Sequence, residues 1–450
     1  MTIKDNLQAL QQIDIKDRNL VNHYLTFRQQ RSDKPALPDY MSIAGTLLSM
    51  AWRKKLNSDA GLAKYVEKCS SRLSEKIGDA DFDRLLSQMY FTEDAKGLYQ
   101  ISPDFLLFKA EESTAGNTKH ISNVLGSILM NSDTPISRLS QEVNFLESEL
   151  LDELQNHIVD LESSTQTADY LPFLSEVFVK DLAFLSQNPS YMMQSFKGFI
   201  TLYNFLYSAQ LANNIRAWHE EPCSKPLYFI LDTERASIER TRVREAVAAL
   251  LGNVEYLFPV LSALEYFNQP DSTKSSQYPL WMHFEYIQSQ PELEQAKFVR
   301  NLSEFLVRYR EKRGIKPWQD PINSVQDAFN AVVKTAREIF TQARSSQLTV
   351  NRKVVSSFEN EVARHFIQNR NRGGRVLILN QDYLLLLTNL AIGDVQEGKL
   401  PLQILLEEFK SRGVWLDQQS QQALIEFYER VGNLERMSDS GDAIYVRKTI

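Results

Sequence analysis

Cysteine is almost missing from this chain. Its two thiols, Cys69 and Cys223, are far apart in sequence and neither has a second thiol at ligand spacing, which argues against a disulfide framework or a structural zinc site and makes a reducing compartment the default. A glycine-rich loop ending in Lys-Ser or Lys-Thr is missing too: Gly398-Lys399 runs into Leu400-Pro401, without the upstream glycine or the hydroxyl. Nucleotide hydrolysis therefore lacks its phosphate cradle. No apolar run approaches membrane-spanning length, and Met1-Thr2-Ile3-Lys4-Asp5 leads into polar sequence rather than a signal core, so a cytoplasmic protein is expected. Paired histidines are lacking as well. His219 and Cys223 are four apart, but Pro222 and Glu220-Glu221 between them interrupt a helix, and His23, His120, His157, His283 and His365 form no ligand-spaced pair; no metal and no cofactor are expected. Positive charge is in deficit, with 50 Lys and Arg against 57 Asp and Glu for a net charge of -7. Coating nucleic acid by bulk electrostatics is thereby disfavoured, and any contact with DNA has to be a local patch.

What is present reads mostly as helix. The 450 residues, 43% hydrophobic and 24% charged, suit two or three domains with cores of their own. Residues 1–165 form an expected N-terminal helical domain. Leu47, Leu48, Met50, Ala51 and Leu56 make one apolar stripe, and Phe82, Leu85, Leu86 and Met89 another. Val143, Leu146, Leu150, Leu154, Ile158 and Leu161 predict one long helix over 142–161. The polar stretch 162–167 marks a boundary. Residues 166–350 form a central helical domain, in which aromatics at helical spacing (Phe173, Phe178, Phe184, Phe196, Phe199, Tyr203, Phe205, Tyr207) predict bundle core rather than a base-stacking platform. The short apolar run 227–232, led in by Pro222 and Pro226, predicts a strand. Residues 233–237 then open a helix that Gly252 stops, 257–267 form another, and 293–312 and 324–343 two more.

Residues 351–450 follow a different order. An amphipathic helix from Val354, the basic turn Arg370-Asn-Arg-Gly-Gly-Arg375 and a buried-type run come first. Helical segments 402–410 and 420–431 then precede Leu434-Glu-Arg-Met437, the turn Ser438-Asp-Ser-Gly-Asp442 and Ala443-Ile-Tyr-Val-Arg447. Three short helices followed by a hairpin are the order of a winged helix, so the expected fold class is mainly α: multi-helical domains with a C-terminal winged-helix-like module. A DNA-reading third helix offers Arg, Lys, Asn or Gln to base edges, and Gln418, Gln419, Gln421 and Gln422 qualify. Against them, Glu426 and Glu429 outweigh Arg430, and Asp439 and Asp442 sit in the turn with only Arg447 and Lys448 nearby. That sign suits protein docking at least as well as a grip on the DNA backbone.

Two basic clusters supply the candidate DNA contacts. Between residues 352 and 375, six cations (Arg352, Lys353, Arg364, Arg370, Arg372, Arg375) face two acids (Glu359, Glu361), a local balance of +4. Arg308, Arg310, Lys312 and Arg313, with Lys316, flank Gly314. Guanidinium forks and flexible backbone amides suit phosphate oxygens; a solvated face or a dock for an acidic partner would use the same residues. For a nuclease centre only Asp232 and Glu234, at the end of the strand, are well placed. The preferred reading is that Asp232 caps the helix that follows, with Thr233 and Glu234 in its first turn. No catalytic residue is assigned.

Several stretches together resemble one family. They are Pro226-Leu-Tyr-Phe-Ile-Leu-Asp-Thr-Glu-Arg-Ala-Ser-Ile-Glu-Arg240, Leu264-Glu-Tyr-Phe-Asn268, Lys410-Ser-Arg-Gly413 and Ser438-Asp-Ser-Gly-Asp-Ala-Ile-Tyr-Val446. The second half of the chain thereby resembles DptG, the G subunit of the DNA phosphorothioation-dependent restriction system, with Thr233 where that family has an aromatic. The resemblance implies a part in host defence: one gene set installs sulfur in the DNA backbone, and a second, including this subunit, attacks DNA lacking the mark. It implies F and H subunits as partners, which carry the nucleotide-hydrolysis signatures, and transfers no catalytic residue. The expected function is a non-catalytic subunit that contacts DNA weakly, through the backbone, and organises its partners. A nuclease subunit of the same complex and a purely protein-binding scaffold remain open at this point.

Overall fold

The computed structural model describes residues 2–17, 19, 23–28, 37–57, 61–77, 84–92, 96–112, 116–137, 143–162, 167–237, 239–269, 276–370, 373–437 and 443–450. Phe82, Arg372, most of the polar stretch 162–167 and the turn Ser438-Asp-Ser-Gly-Asp442 lie outside them. The chain is mainly helical, with small sheets. It forms two compact units, one of residues 38–164 and 179–201, the other of residues 1–37, 165–178 and 202–449.

In the first unit, glycine sets how closely segments approach. Helix α1 (Tyr40–Trp52) starts at Asp39, whose carboxylate accepts from the Met41 and Ser42 amides at 3.0 and 3.2 Å. A Cβ added at Gly45 would fall 2.1 Å from the Leu106 carbonyl oxygen, so the 3₁₀ stretch Pro103–Glu112 lies directly on the helix. Gly126 of α2 (Gly116–Asn131) admits the Met50 sulfur in the same way. The long helix expected over 142–161 is shorter. It runs from Phe145 to Gln155 as α3, held by a capping box between Asn144 and Glu147, and buries Leu150 and Leu154. The rest becomes strand β2 (Ile158–Asp160), because β1 (Lys54–Leu56) offers it an antiparallel ladder.

The second unit carries helix α6 (Thr241–Phe267), which follows α4 (Pro172–Ser186) and α5 (Pro189–Asn214) in sequence; residues 179–201 of those two helices belong to the first unit. The expected stop at Gly252 does not occur, and the two helices predicted there are one. Val247, Leu250, Val254 and Leu257 keep one face buried across the glycine, so tertiary packing outweighs its entropic cost. Pro259 inside the helix cannot donate to the carbonyl of Glu255, and the side-chain amide of Asn351 donates to that oxygen instead, at 3.0 Å. Contrary to the expectation from hydropathy, α6 is long and apolar enough to cross a membrane by length and composition; 61% of its most apolar window is buried within the protein. The aromatic stripe is core, with Tyr203 and Phe205 fully buried and Phe205 stacked on Phe366 at 4.4 Å. Helices α7 (Glu292–Lys312), α8 (Val325–Thr341) and α9 (Ser346–Ser357) follow, α8 starting at the capping box of Ser324 and Asp327.

The strand predicted at 227–232 is β3 (Leu227–Leu231), and it joins segments far apart in sequence. It pairs in parallel with β5 (Arg375–Leu379) on one side and β7 (Val414–Leu416) on the other, while β4 (Ile367–Asn369) adds an antiparallel edge to β5. The sheet order is β4-β5-β3-β7. The central strand lies between two strands of the last hundred residues, and residues 202–449 fall in one unit. Beyond β5 come α10 (Gln381–Ile392), β6 (Lys399–Pro401), α11 (Leu402–Ser411) and, after β7, α12 (Gln418–Val431). Strands β8 (Leu434–Met437) and β9 (Ala443–Arg447) close an antiparallel sheet of order β6-β9-β8.

Candidate functional site

Three parallel strands end side by side, which in open α/β sheets is where ligands bind. Each is followed by an Asx residue: Asp232 after β3, Asn380 after β5, Asp417 after β7. Two of them cap helices. Asn380 accepts from the Tyr383 amide and Asp417 from the Ser420 amide, both at 2.9 Å. Asp232 does not, and this corrects the capping expectation. Residues after it form a turn, α6 begins only at Thr241, and its N-cap Arg240 provides no side-chain cap.

Glu234 instead turns back into a buried ionic clamp. Its Oε1 accepts from the Leu231 amide at 2.7 Å, and its Oε2 from Arg240 Nη1 at 2.7 Å. Arg240, only 7% exposed, also donates from Nε to Asp417 at 2.8 Å and from Nη2 to Asp417 and Ser420. The Ser420 hydroxyl closes the ring on Glu234 at 2.8 Å. One guanidinium thus ties the end of β3 and the starts of α6 and α12, which stem from regions nearly two hundred residues apart in sequence. Burial pushes the Asp417 carboxyl up, but hydrogen bonds from Arg240 and the Ser420 amide outweigh it and hold the group below its ordinary 3.8. Burial also disfavours the Arg240 charge, and its two carboxylates more than restore it. Each Glu234 carboxylate oxygen has a donor. No group of three or more His, Cys, Asp or Glu suited to a metal occurs among the described residues.

The basic turn docks onto the acidic one. Arg370 donates from Nη2 to the Asp232 carbonyl at 2.7 Å and to its carboxylate at 2.6 Å. Gly373 approaches so closely that an added Cβ would lie 2.6 Å from Ala236 Cβ, and Gly374 takes φ +74 to close the β4–β5 hairpin. Asp232 and the basic turn, read separately in the sequence, are one feature. Arg375 pairs with Glu359 at 2.6 Å. Arg364 is exposed and its Nε lies 3.0 Å from His365 Nε2. Arg352 and Lys353 are exposed on α9.

The other cluster has a different fate. Arg308 donates to the carbonyls of Ile13 and Leu10, both at 3.0 Å. Arg310 is 4% exposed and binds the Lys316 carbonyl, the Thr335 hydroxyl and Glu338. Lys312 pairs with Asp17, and Arg313 donates to the Asp17 carbonyl. These four cations hold the N-terminal segment and the end of α7 in place.

An open cleft of about 730 Å³ lies beside the clamp, lined by Arg240 and Asp417 with Glu239, Thr241, Arg242 and three glutamines, Gln418, Gln419 and Gln422. Those glutamines were expected on a third helix and are exposed at the start of α12, whereas Gln421 donates to the Leu416 carbonyl. Arg242, which the sequence pattern puts on a helix but not in a site, donates to the Tyr228 hydroxyl at 3.2 Å on the cleft wall; its place opposite residue 418 depends on the β3–β7 pairing. Glu426 and Glu429 are exposed farther along α12, Glu429 paired with Arg436. No family model matches the chain, and no curated protein matches it.

Proposed function

We propose that the chain is a non-catalytic subunit that contacts DNA weakly through its backbone and organises partners, within a phosphorothioation-dependent restriction complex of the kind DptG belongs to. The observation that carries the non-catalytic part is the clamp. Both Glu234 oxygens accept from Arg240, Ser420 or a backbone amide, and Asp232 Oδ1 accepts from Arg370, so each member of the one acidic pair placed for metal chemistry is engaged by an arginine. DNA contact rests on the exposed cations Arg352, Lys353 and Arg364, joined by Arg242 and the cleft glutamines. The winged-helix-like reading of α10, α11 and α12 is supported by the three-stranded sheet of order β6-β9-β8 behind them. In this reading, the start of α12 faces the nucleic acid, and its acidic remainder, Glu426 and Glu429, docks protein, with the F and H subunits as partners.

Plasmid cleavage tests it. Unmodified plasmid is incubated with magnesium or manganese and the chain, alone and with the F and H subunits, comparing wild type with Asp232→Ala. The chain alone is expected to leave the plasmid intact, and any cleavage by the complex to persist in the variant. Cleavage abolished by Asp232→Ala, in a variant that still assembles, would make this chain the nuclease.

A further inference from the structure

We infer that Arg216, Tyr256 and Arg337 form a second phosphate-holding point on the chain, a guanidinium pair stacked on one tyrosine ring. The Arg337 guanidinium carbon lies 3.6 Å from the Tyr256 ring centroid and that of Arg216 3.9 Å. Two planar groups can both sit that near one centroid only on opposite faces of the ring. Two positive charges are therefore held within about one Debye length, about 8 Å at physiological salt, so mobile ions screen their mutual repulsion only in part. The ring quadrupole compensates each in part.

What sets this pair apart is its lack of counter-charge. Arg240, Arg310, Arg370, Arg375 and Lys312 each have a carboxylate in ion-pair contact. Among the described residues neither Arg216 nor Arg337 does. Arg216 donates once, to the Gly252 carbonyl at 3.1 Å. Glu338, next to Arg337, is bound to Arg310, and Glu255, next to the ring, pairs with neither arginine. Arg216 is exposed and Arg337 and Tyr256 are half-buried, so both guanidinium edges border solvent. Stacking fixes their planes, which leaves little order to impose when a phosphate oxygen arrives.

The position extends a surface already implicated. Asn351, whose amide caps the carbonyl freed by Pro259, bonds to Glu255, the residue before Tyr256. Arg352 and Lys353 follow it on α9, so the exposed pair and the stacked pair lie within a helical turn of the same contact. A nucleic-acid backbone crossing α6 at this point meets four cations from three parts of the sequence, and a single phosphate group would not reach all four. This inference rests on the DNA-contacting reading and adds a place to it.

Fluorescence anisotropy of a labelled random-sequence duplex, titrated with the full chain across a range of salt, tests it. Replacing Arg216 and Arg337 together by Ala is expected to weaken low-salt binding at least about tenfold and to lower the slope of log affinity against log salt by about 2, near 0.9 for each lost phosphate contact. The paired Arg→Lys variant keeps the charge and is expected to retain most of the slope, and Tyr256→Phe to bind like wild type. If the Ala pair folds poorly, a Gln pair serves in its place. Should wild type bind, and Arg352→Ala with Lys353→Ala weaken it, while the Arg216 and Arg337 replacements leave the slope unchanged, this site is wrong and the general reading stands. Absence of duplex binding by wild type at low salt overturns both.

Discussion

Two stretches of this chain are about equally basic in sequence and play opposite parts in the fold. Arg308, Arg310, Lys312 and Arg313 are all taken up by the protein, three of them by residues 10–17. Arg352, Lys353 and Arg364 stand at the surface. Arg370 and Arg375 fall between, each tied to one carboxylate that is itself partly open to solvent. The difference teaches that a run of cations is a patch only where the fold leaves it unanswered, and the answer usually comes from a distant segment.

Substitutions can break that comparison, and their expected effects descend in order. Arg240→Ala is the most severe: it strands the buried Glu234 carboxylate and is expected to cost about 3–5 kcal/mol in denaturant unfolding. Arg310→Ala removes a buried fork with three acceptors and is expected to cost about 2–3 kcal/mol, with DNA affinity per folded molecule unchanged. Arg370→Ala frees a half-exposed pair and is expected to cost at most about 1 kcal/mol. Arg352→Ala with Lys353→Ala is expected to move stability by less than about 0.5 kcal/mol. Equal losses of stability from Arg310→Ala and the Arg352 and Lys353 pair would erase the distinction between the clusters.

Acid gives a further handle on the clamp. The folded Asp417 carboxyl titrates below its ordinary 3.8, so its contribution is fully present above that value and is lost as pH falls through the lower, folded one. Wild type is therefore expected to lose stability more steeply than Asp417→Asn below about pH 4. Parallel pH profiles for the two proteins would mean that the clamp carries no such linkage.

Much of the helical content was legible, because stripes such as Phe298, Leu302, Phe305 and Tyr309 on α7 repeat at helical spacing. The strand at 227–231 was legible from its apolar run and flanking prolines. Its partners were not, since parallel pairing with residues 377–379 and 414–416 is decided by contacts that leave no local trace. Asp232 was misjudged for a similar reason. Asx at a strand end followed by Thr and Glu looks like a cap, but Arg370, far along the chain, claims it and the helix starts nine residues later. Gly252 was misjudged because local propensity is a weak force beside a buried face. Arg216 and Arg337 carried no signal at all: isolated in sequence, they meet only over Tyr256.

In the proposed DNA-contacting reading, the unanswered surface cations make the contact and the engaged ones do not. The salt dependence of duplex binding, compared between Arg352→Ala with Lys353→Ala and Arg308→Ala with Lys312→Ala, tests it most directly. The first pair is expected to lower the slope of log affinity against log salt by about 2, and the second to leave it at the wild-type value. Equal slopes for all three proteins, or a loss confined to the second pair, would contradict it.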